Sequence, residues 1–347
     1  MNLSKEISNR ISMLRFLMVF GVVVLHTPMY VDLALLAPGA FEWTKAYFQH
    51  ALFRSSVPVL SLISGFLLFS SNLDLTPKKL WAKKARTLLL PFLVFNLSAL
   101  IAVYVVQTKT GITATYNLPN ASFATWMNAA FGLTHSPINF PLNFLRELIV
   151  LMVLAPLFGI VIRRAPIIGF FAVSGIFLFD LDGPVILRAT MAILFYVGGV
   201  AAVYRWDLTK LDRFAFPLLV TFLLICACVI TFRVTDRTYF RLLSPLLLWP
   251  AAALLVDTRV GIWMRRASKY SLFIFVAHAP ILTMTWLAYQ KVRHAVPYPV
   301  YWVIAPLFTA ALLIGLYRFA MQFAPRSFGR IIGVDKPSSV PVKLAVA

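Results

Sequence analysis

Ten times the chain returns to an apolar run of roughly 20 residues: 11–30, 47–70, 87–107, 142–162, 165–181, 185–204, 214–233, 240–256, 270–290 and 299–322. About 20 such residues in a helix cross the ~30 Å hydrocarbon layer of a bilayer. No water is available there, so each backbone amide must find its partner inside its own segment, and a run of this kind can only be helical. The predicted fold class is therefore an all-α integral membrane protein, a bundle of about ten transmembrane helices, with the fifth and eighth runs the shortest. No sequence period repeats and no Pro/Ser-rich linker interrupts the runs. One membrane domain, 11–322, is expected between an N-terminal tail, 1–10, and a basic tail, 323–347. The first run is longer than a signal-peptide core and no small-x-small cleavage site follows it, so it reads as an uncleaved first span.

The basic residues give the orientation. A net charge of +20 raises the question of nucleic acid, but that partner calls for cations clustered on a water-facing surface with stacking aromatics. Here they lie between apolar runs, in a chain with 61% hydrophobic and 13% charged residues, against ~25% charged in soluble domains. With ten spans both termini share one side. That side collects 20 Lys and Arg, from Lys5 and Arg10 through Lys336 and Lys343, and the opposite loops hold five: Lys45, Lys109, Arg237, Lys291 and Arg293. The positive-inside rule makes the richer side cytoplasmic, so N-in/C-in topology in a bacterial-type inner membrane is expected. Cys226 and Cys228 are two apart within one run. They point to different sides of a helix and cannot bridge each other.

Seven cations, Arg15, Arg54, Arg146, Arg188, Arg233, Arg241 and Arg318, fall inside the runs or at their ends. A charge in the hydrocarbon is costly enough to be a functional hypothesis by default. Arg15 and His26 occupy the first run with ten residues between them. Eleven steps of ~100° bring His26 back to within ~20° of the Arg15 azimuth and ~16 Å further along the axis, so the two share one helix face. Following each run through the bilayer sorts the polar residues into two layers. His26, Arg54, Arg146 and Glu147 are outer; Arg15, Lys83, Lys84 and Arg86 are inner, and His278 is near mid-depth. Lys83 and Arg86 are three apart, neighbours on a helix, and suit a multi-phosphate anion arriving from the cytoplasm. Ordinary readings stand beside these: Arg15 as a snorkelling cation, the basic run as a topological anchor, His278 as a packed core histidine. His135, in the outer loop 108–141, could touch an acceptor, though solvation explains a polar loop residue as well, and Asp180 and Asp182 flank a turn with Gly183 and Pro184. No zinc-type Cys/His spacing, Ser-centred elbow or Gly-rich phosphate loop is present, so no metal is expected.

Five segments in the same order resemble the membrane acyltransferase-3 family: 13–28 (MLRFLMVFGVVVLHTP), 53–68 (FRSSVPVLSLISGFLL), Lys83-Lys84-Ala85-Arg86 before Pro91, 141–156 (PLNFLRELIVLMVLAP) and 270–280 (YSLFIFVAHAP). The resemblance implies ten-odd helices and transfer of an acyl group, commonly acetyl from acetyl-CoA, to a hydroxyl of a cell-envelope glycan. His26 matches the family's essential histidine and Arg15 the arginine preceding it. Ser64-Gly65-Phe66 matches a small-residue turn, and Lys83 and Arg86 match an arginine pair, with Lys in place of the first arginine. That substitution keeps the charge but loses the bidentate geometry of a guanidinium. Many relatives carry a fused SGNH-type esterase domain; about 25 residues follow the last run here, so a standalone membrane form is expected.

Chemistry assigns provisional roles. A sugar hydroxyl needs a base to take its proton, and a histidine is the usual choice, here His26. Glu147, the outer-layer carboxylate, is the expected partner that orients the ring, unless Arg54 or Arg146 neutralises it instead. Arg54 is placed to stabilise the oxyanion, and Arg15, Lys83 and Arg86 to hold the donor's phosphates. Arg146, His278 and Ser64 are candidate acceptor contacts. The expected partners are acyl-CoA, a glycan or lipid-linked sugar, and membrane lipids, without nucleic acid. The alternative is a transporter or exporter of a glycan or small anion, its buried charges marking a path without covalent chemistry. No inverted repeat is visible, and the basic entrance to the third run favours the enzyme.

Overall fold

Every apolar run folds as helix, and the described residues contain no strand. A computed structural model describes residues 4–111, 116–181, 183 and 185–334; Asp182, Pro184, Lys336 and Lys343, named above, lie outside them. The runs form ten rods: α1 (Lys5–Leu25), α2 (Ala40–Ser70), α3 (Pro77–Thr110), α4 (Phe140–Arg164), α5 (Pro166–Leu178), α6 (Ala189–Val203), α7 (Asp212–Thr231), α8 (Thr238–Ala251), α9 (Arg259–Val292) and α10 (Tyr298–Phe323).

The count of ten spanning helices needs correction, because seven rods are long and apolar enough to cross by themselves. The others, α5, α6 and α8, have 13, 15 and 14 residues. Fourteen residues rise ~21 Å, short of the ~30 Å core. Local chemistry shortens each one. Asp180 sits at φ 58°, a left-handed stop just beyond α5. Residues 185–188 stay outside α6 although they are apolar at the start. Two prolines, Pro245 and Pro250, lie within α8, which ends at Ala251.

Prolines also explain where the long rods bend. In α2 a π turn, Tyr47–Ala51, passes into a 3-10 turn, Leu52–Ser55, before the regular helix from Ser56. Pro58 has no N–H for the carbonyl of residue 54, and its ring crowds that carbonyl, so the helix must rewind one turn earlier. The same offset recurs in α3, where the π turn Ala85–Leu89 precedes Pro91. In α9, Pro280 leaves the Val276 carbonyl unclaimed. Asn139 Nδ2 donates to it at 3.3 Å, and the Asn139 N–H donates to Asn96 Oδ1 at 3.0 Å. Each break thus falls beside a residue singled out above: Arg54, Arg86 and His278.

Close packing holds the centre. A Cβ at Gly65 of α2 would land on the Phe195 carbonyl of α6, and one at Gly198 would land on the Leu62 carbonyl. Between apolar helices in lipid, such near-backbone contact is a main source of association. Phe69, Phe195, Tyr196, Met13 and Leu14 fill the interior around this seam. On the outside, Ile167, Ile168, Phe171, Phe216 and Phe319 stand more than half exposed, as lipid-facing side chains do. Near the start of α1, fully buried Arg10 is clasped by Asp212 through two bonds of 2.8 and 2.6 Å.

Gly65→Val is expected to cost at least ~1–3 kcal/mol by overpacking the seam, while Gly315→Ala, with nothing within 4 Å of the added carbon, is expected to raise stability by up to ~1 kcal/mol, Ala being the better helix former. Thermal unfolding in detergent compares them, and equal midpoints would remove the seam from the account.

Candidate active site

His26 stands where α1 stops. Its N–H still donates to the Val22 carbonyl at 3.1 Å and the Thr27 N–H to Val24 O at 3.1 Å, and the helix ends there. Orphan groups at a helix end need a substitute donor, above all away from water. Thr27 Oγ1 donates to Val23 O at 3.1 Å, and Gln49 Nε2 donates to Val24 O at 3.3 Å and Thr27 O at 2.8 Å. The Tyr298 hydroxyl donates to Pro28 O at 2.9 Å and accepts from the Met29 N–H at 2.7 Å. These bonds, from α2 and α10, fix the chain on both sides of the imidazole.

The ring itself is held by a second histidine. His26 Nδ1 lies 3.1 Å from Nε2 of fully buried His278, and the two rings stack at 5.3 Å with 19° between their planes. His278 Nδ1 faces two backbone oxygens, Phe275 O at 2.7 Å and Ile274 O at 3.2 Å. A carbonyl only accepts, so this nitrogen carries the proton. In the neutral ring Nε2 is then an acceptor, and it takes the proton of His26 Nδ1–H. The remaining nitrogen, His26 Nε2, is left with a free lone pair. Phe140 meets the ring edge-on at 4.9 Å and completes its seat.

A cavity opens at His26, and Arg54, Arg188, Arg241, Ser56 and Thr190 contribute to its wall. Arg54 is fixed: Nε donates to Gln49 O at 3.2 Å, Nη2 donates to the Tyr30 hydroxyl at 2.7 Å, and the guanidinium lies 5.4 Å from the centre of the Tyr30 ring. Arg188 and Arg241 make no side-chain hydrogen bond among the described residues. Glu147 acts on Arg188 electrostatically and Asp236 on Arg241, but neither carboxylate lines the cavity. The result is a small cup with one basic nitrogen and three guanidinium groups, able to take a proton and to hold negative charge.

The predicted residues divide accordingly. His26, Arg54 and His278 come together. Glu147 does not orient His26, because Asn143, one turn earlier on α4, donates Nδ2 to its Oε1 at 2.6 Å, and Arg188 and Arg146 are the nearby charges. His278 fills that role instead. Arg146 donates to Leu133 O at 2.8 Å and Val185 O at 2.7 Å, tying two loops together, and is not part of the cavity wall. Ser64 Oγ donates to Leu60 O of its own helix at 2.7 Å. At the other level, half-buried Arg15 acts electrostatically on half-buried Lys84, whereas Lys83 and Arg86 are exposed. The π turn starting at Ala85 breaks the helical spacing on which the Lys83–Arg86 pairing relied. Exposed His135 meets only the neighbouring Thr134 hydroxyl, at 2.9 Å. Among the described residues no three His, Cys, Asp or Glu side chains are grouped as a metal site would require. Gln49, Tyr30 and Tyr298 carried no sequence signal. Arg188 and Arg241 did, since both open runs that start on the outer side.

A family model described as an acyltransferase domain matches residues 8–318. The succinoglycan biosynthesis protein ExoH of Rhizobium meliloti (strain 1021) is 31% identical over 337 residues, which cover 92% of this chain and 90% of that protein. No solved structure matches.

Tyr298→Phe removes both bonds that hold Pro28 and Met29. The expected loss is ~0.5–1.5 kcal/mol of stability for each bond removed, read as a lower unfolding midpoint. An unchanged midpoint would show that the tyrosine does not secure the His26 end of α1.

Proposed function

The chain belongs to the acyltransferase-3 family and is a membrane O-acyltransferase, and from that premise we propose that it moves an acyl group, acetyl in the simplest case, from cytoplasmic acyl-CoA to a hydroxyl of a cell-envelope polysaccharide or lipid-linked sugar. The observation that carries this reading is the His26–His278 pair, which leaves Nε2 basic on a ring that lines a cavity with three guanidinium groups. The name of ExoH, which places that protein in succinoglycan biosynthesis, supports a polysaccharide as the acceptor class. The setting is a bacterial-type inner membrane, with the N-terminus cytoplasmic.

In this mechanism the acceptor hydroxyl gives its proton to His26 Nε2 as its oxygen attacks the thioester carbonyl. The carbonyl oxygen gains a negative charge, and Arg54, already fixed by Tyr30 and Gln49, stabilises it without reorganising. Collapse breaks the carbon–sulfur bond, and the His26 imidazolium returns its proton to the leaving thiolate. His278 positions the ring throughout and keeps Nε2 as the basic nitrogen. The donor's phosphates rest on Arg15 and Lys84, with Lys83 and Arg86 at the cytoplasmic mouth. The shared face of α1 carries the extended arm of CoA the ~16 Å to His26. Arg146 contributes through the outer loops it joins. Export without chemistry leaves the oriented lone pair unexplained.

His26→Ala is expected to lower transfer by ~10²–10⁴-fold while acyl-CoA still binds, assayed as acylated product by mass spectrometry together with thiol release. Adding His278→Ala should cost little more, since the two rings act as a unit. Losses that multiply would dissolve the pair, and full activity in His26→Ala would remove the base.

Arg15→Ala and Lys84→Gln should each weaken CoA binding about tenfold, the scale of one charged hydrogen bond, with Lys83→Gln milder. Calorimetric titration with CoA decides this. Wild-type affinity in Arg15→Ala would return that residue to a lipid-headgroup role.

A further inference from the structure

A second recess lies in line with the His26 cavity, towards the N-terminal side of the bundle. The same helix faces build both. Pro58 of α2, Thr190 of α6 and Arg241 of α8 border the His26 cavity, and Leu62, Val197 and Pro245, one or two turns further along, border the recess. The segment 206–211 after α6 closes its far side, held there because Trp249 Nε1 donates to Leu208 O at 2.7 Å. Asp212, next in the chain, clasps Arg10, which fixes the recess at the level of the N-terminus. The recess opens sideways: Leu246, in the middle of α8, is 50% exposed, and Trp206 and Leu211 are similarly exposed. Its wall carries one charged side chain, the exposed carboxylate of Asp207.

Depth and charge together decide the occupant. With 15 and 14 residues, α6 and α8 both end on this side, about 8 Å short of a ~30 Å hydrocarbon core. The recess is therefore level with acyl chains. An apolar space excludes water, and a hydrocarbon chain gains packing contacts there. At the mouth, a carboxylate beside an indole favours an ammonium group, while Arg205 and Lys210, exposed on either side of Trp206 and Asp207 in the chain, favour a phosphate. Asp207 is held ready, since its Oδ1 accepts from the Thr209 N–H at 2.9 Å and the Thr209 hydroxyl at 2.7 Å. We propose that this recess is a phospholipid site, which takes one acyl chain of a lipid with a primary ammonium headgroup, the ammonium on Asp207 and the phosphate between Arg205 and Lys210. The bound chain braces α2 and α8, the helices that carry Arg54 and Arg241, and takes no part in the transfer chemistry.

The full-length protein is placed in nanodiscs of equimolar phosphatidylethanolamine, phosphatidylcholine and phosphatidylglycerol, extracted in mild detergent, and its retained lipid identified by native mass spectrometry. Phosphatidylethanolamine should exceed each of the others by about tenfold, the scale of one charged hydrogen bond. Asp207→Asn, whose Oδ1 can still accept from Thr209, should reduce that preference to under about threefold. Leu246→Trp, which narrows the mouth from the lipid-facing surface, should remove retained lipid of every class. Equal retention of the three lipids, a preference that survives Asp207→Asn, or retention unchanged by Leu246→Trp overturns the site. A phosphatidylethanolamine with a diazirine in its acyl chain locates the chain itself, with cross-links expected in 197–211 and 245–250. Labelling confined to lipid-facing positions such as Ile167, Phe216 and Phe319 overturns the proposal. So does labelling that saturating CoA displaces, which would give the recess to the donor's arm. None of these readouts depends on turnover.

Discussion

The site depends on one hydrogen bond whose direction cannot be reversed, from His278 Nδ1 to the carbonyls of its own helix. A histidine beside water can exchange tautomers freely. One that faces two backbone oxygens cannot, and that restriction passes to the next ring: His278 must accept, His26 must donate, and the basic nitrogen of His26 must be Nε2. The partner that fixes a histidine's tautomer is commonly a carboxylate. Here it is a second imidazole, which fixes the tautomer without adding a negative charge to a cavity lined with guanidinium groups.

Prolines give this arrangement its shape. Pro58 and Pro91 each follow a π turn, and Pro280 frees a carbonyl that Asn139 takes up from a distant segment. In hydrocarbon a freed carbonyl must find a protein donor. Breaks in these helices are therefore also points of attachment, and the α2 break delivers Arg54 to the cavity while its π turn supplies Gln49 to the end of α1.

Much of this was legible in the sequence, and the failures have local causes. Hydropathy gave the helices and their order, and depth counting grouped His26 with Arg54, because both depend only on length and on the regular rise of a helix. The same counting had placed Arg188 and Arg241 at run ends, yet it could not show that they converge, since their neighbours are set by packing between α6 and α8. The pairing of Glu147 was misjudged for a nearer reason: an amide one turn away, Asn143, competes for the carboxylate more effectively than a ring on another helix. Lys84 replaced Lys83 beside Arg15 because a π turn changes the angular step that regular helical spacing assumes. The three short helices were overcounted because apolar composition continues through residues that a left-handed turn or a proline removes from the helix.

The carbonyl-deep contacts at Gly65 and Gly198 reach beyond stability. They lock the axial register of α2 against α6, since sliding by even one residue would drive a side chain into a backbone oxygen. Arg54 lies toward the cavity end of one of these helices, and Arg188 immediately precedes the other. Their spacing is thus ruled off by the seam as two marks on one bar, and any widening of the cavity to admit a larger guest has to come from α8 or from the α1–α9 pair swinging away from that bar.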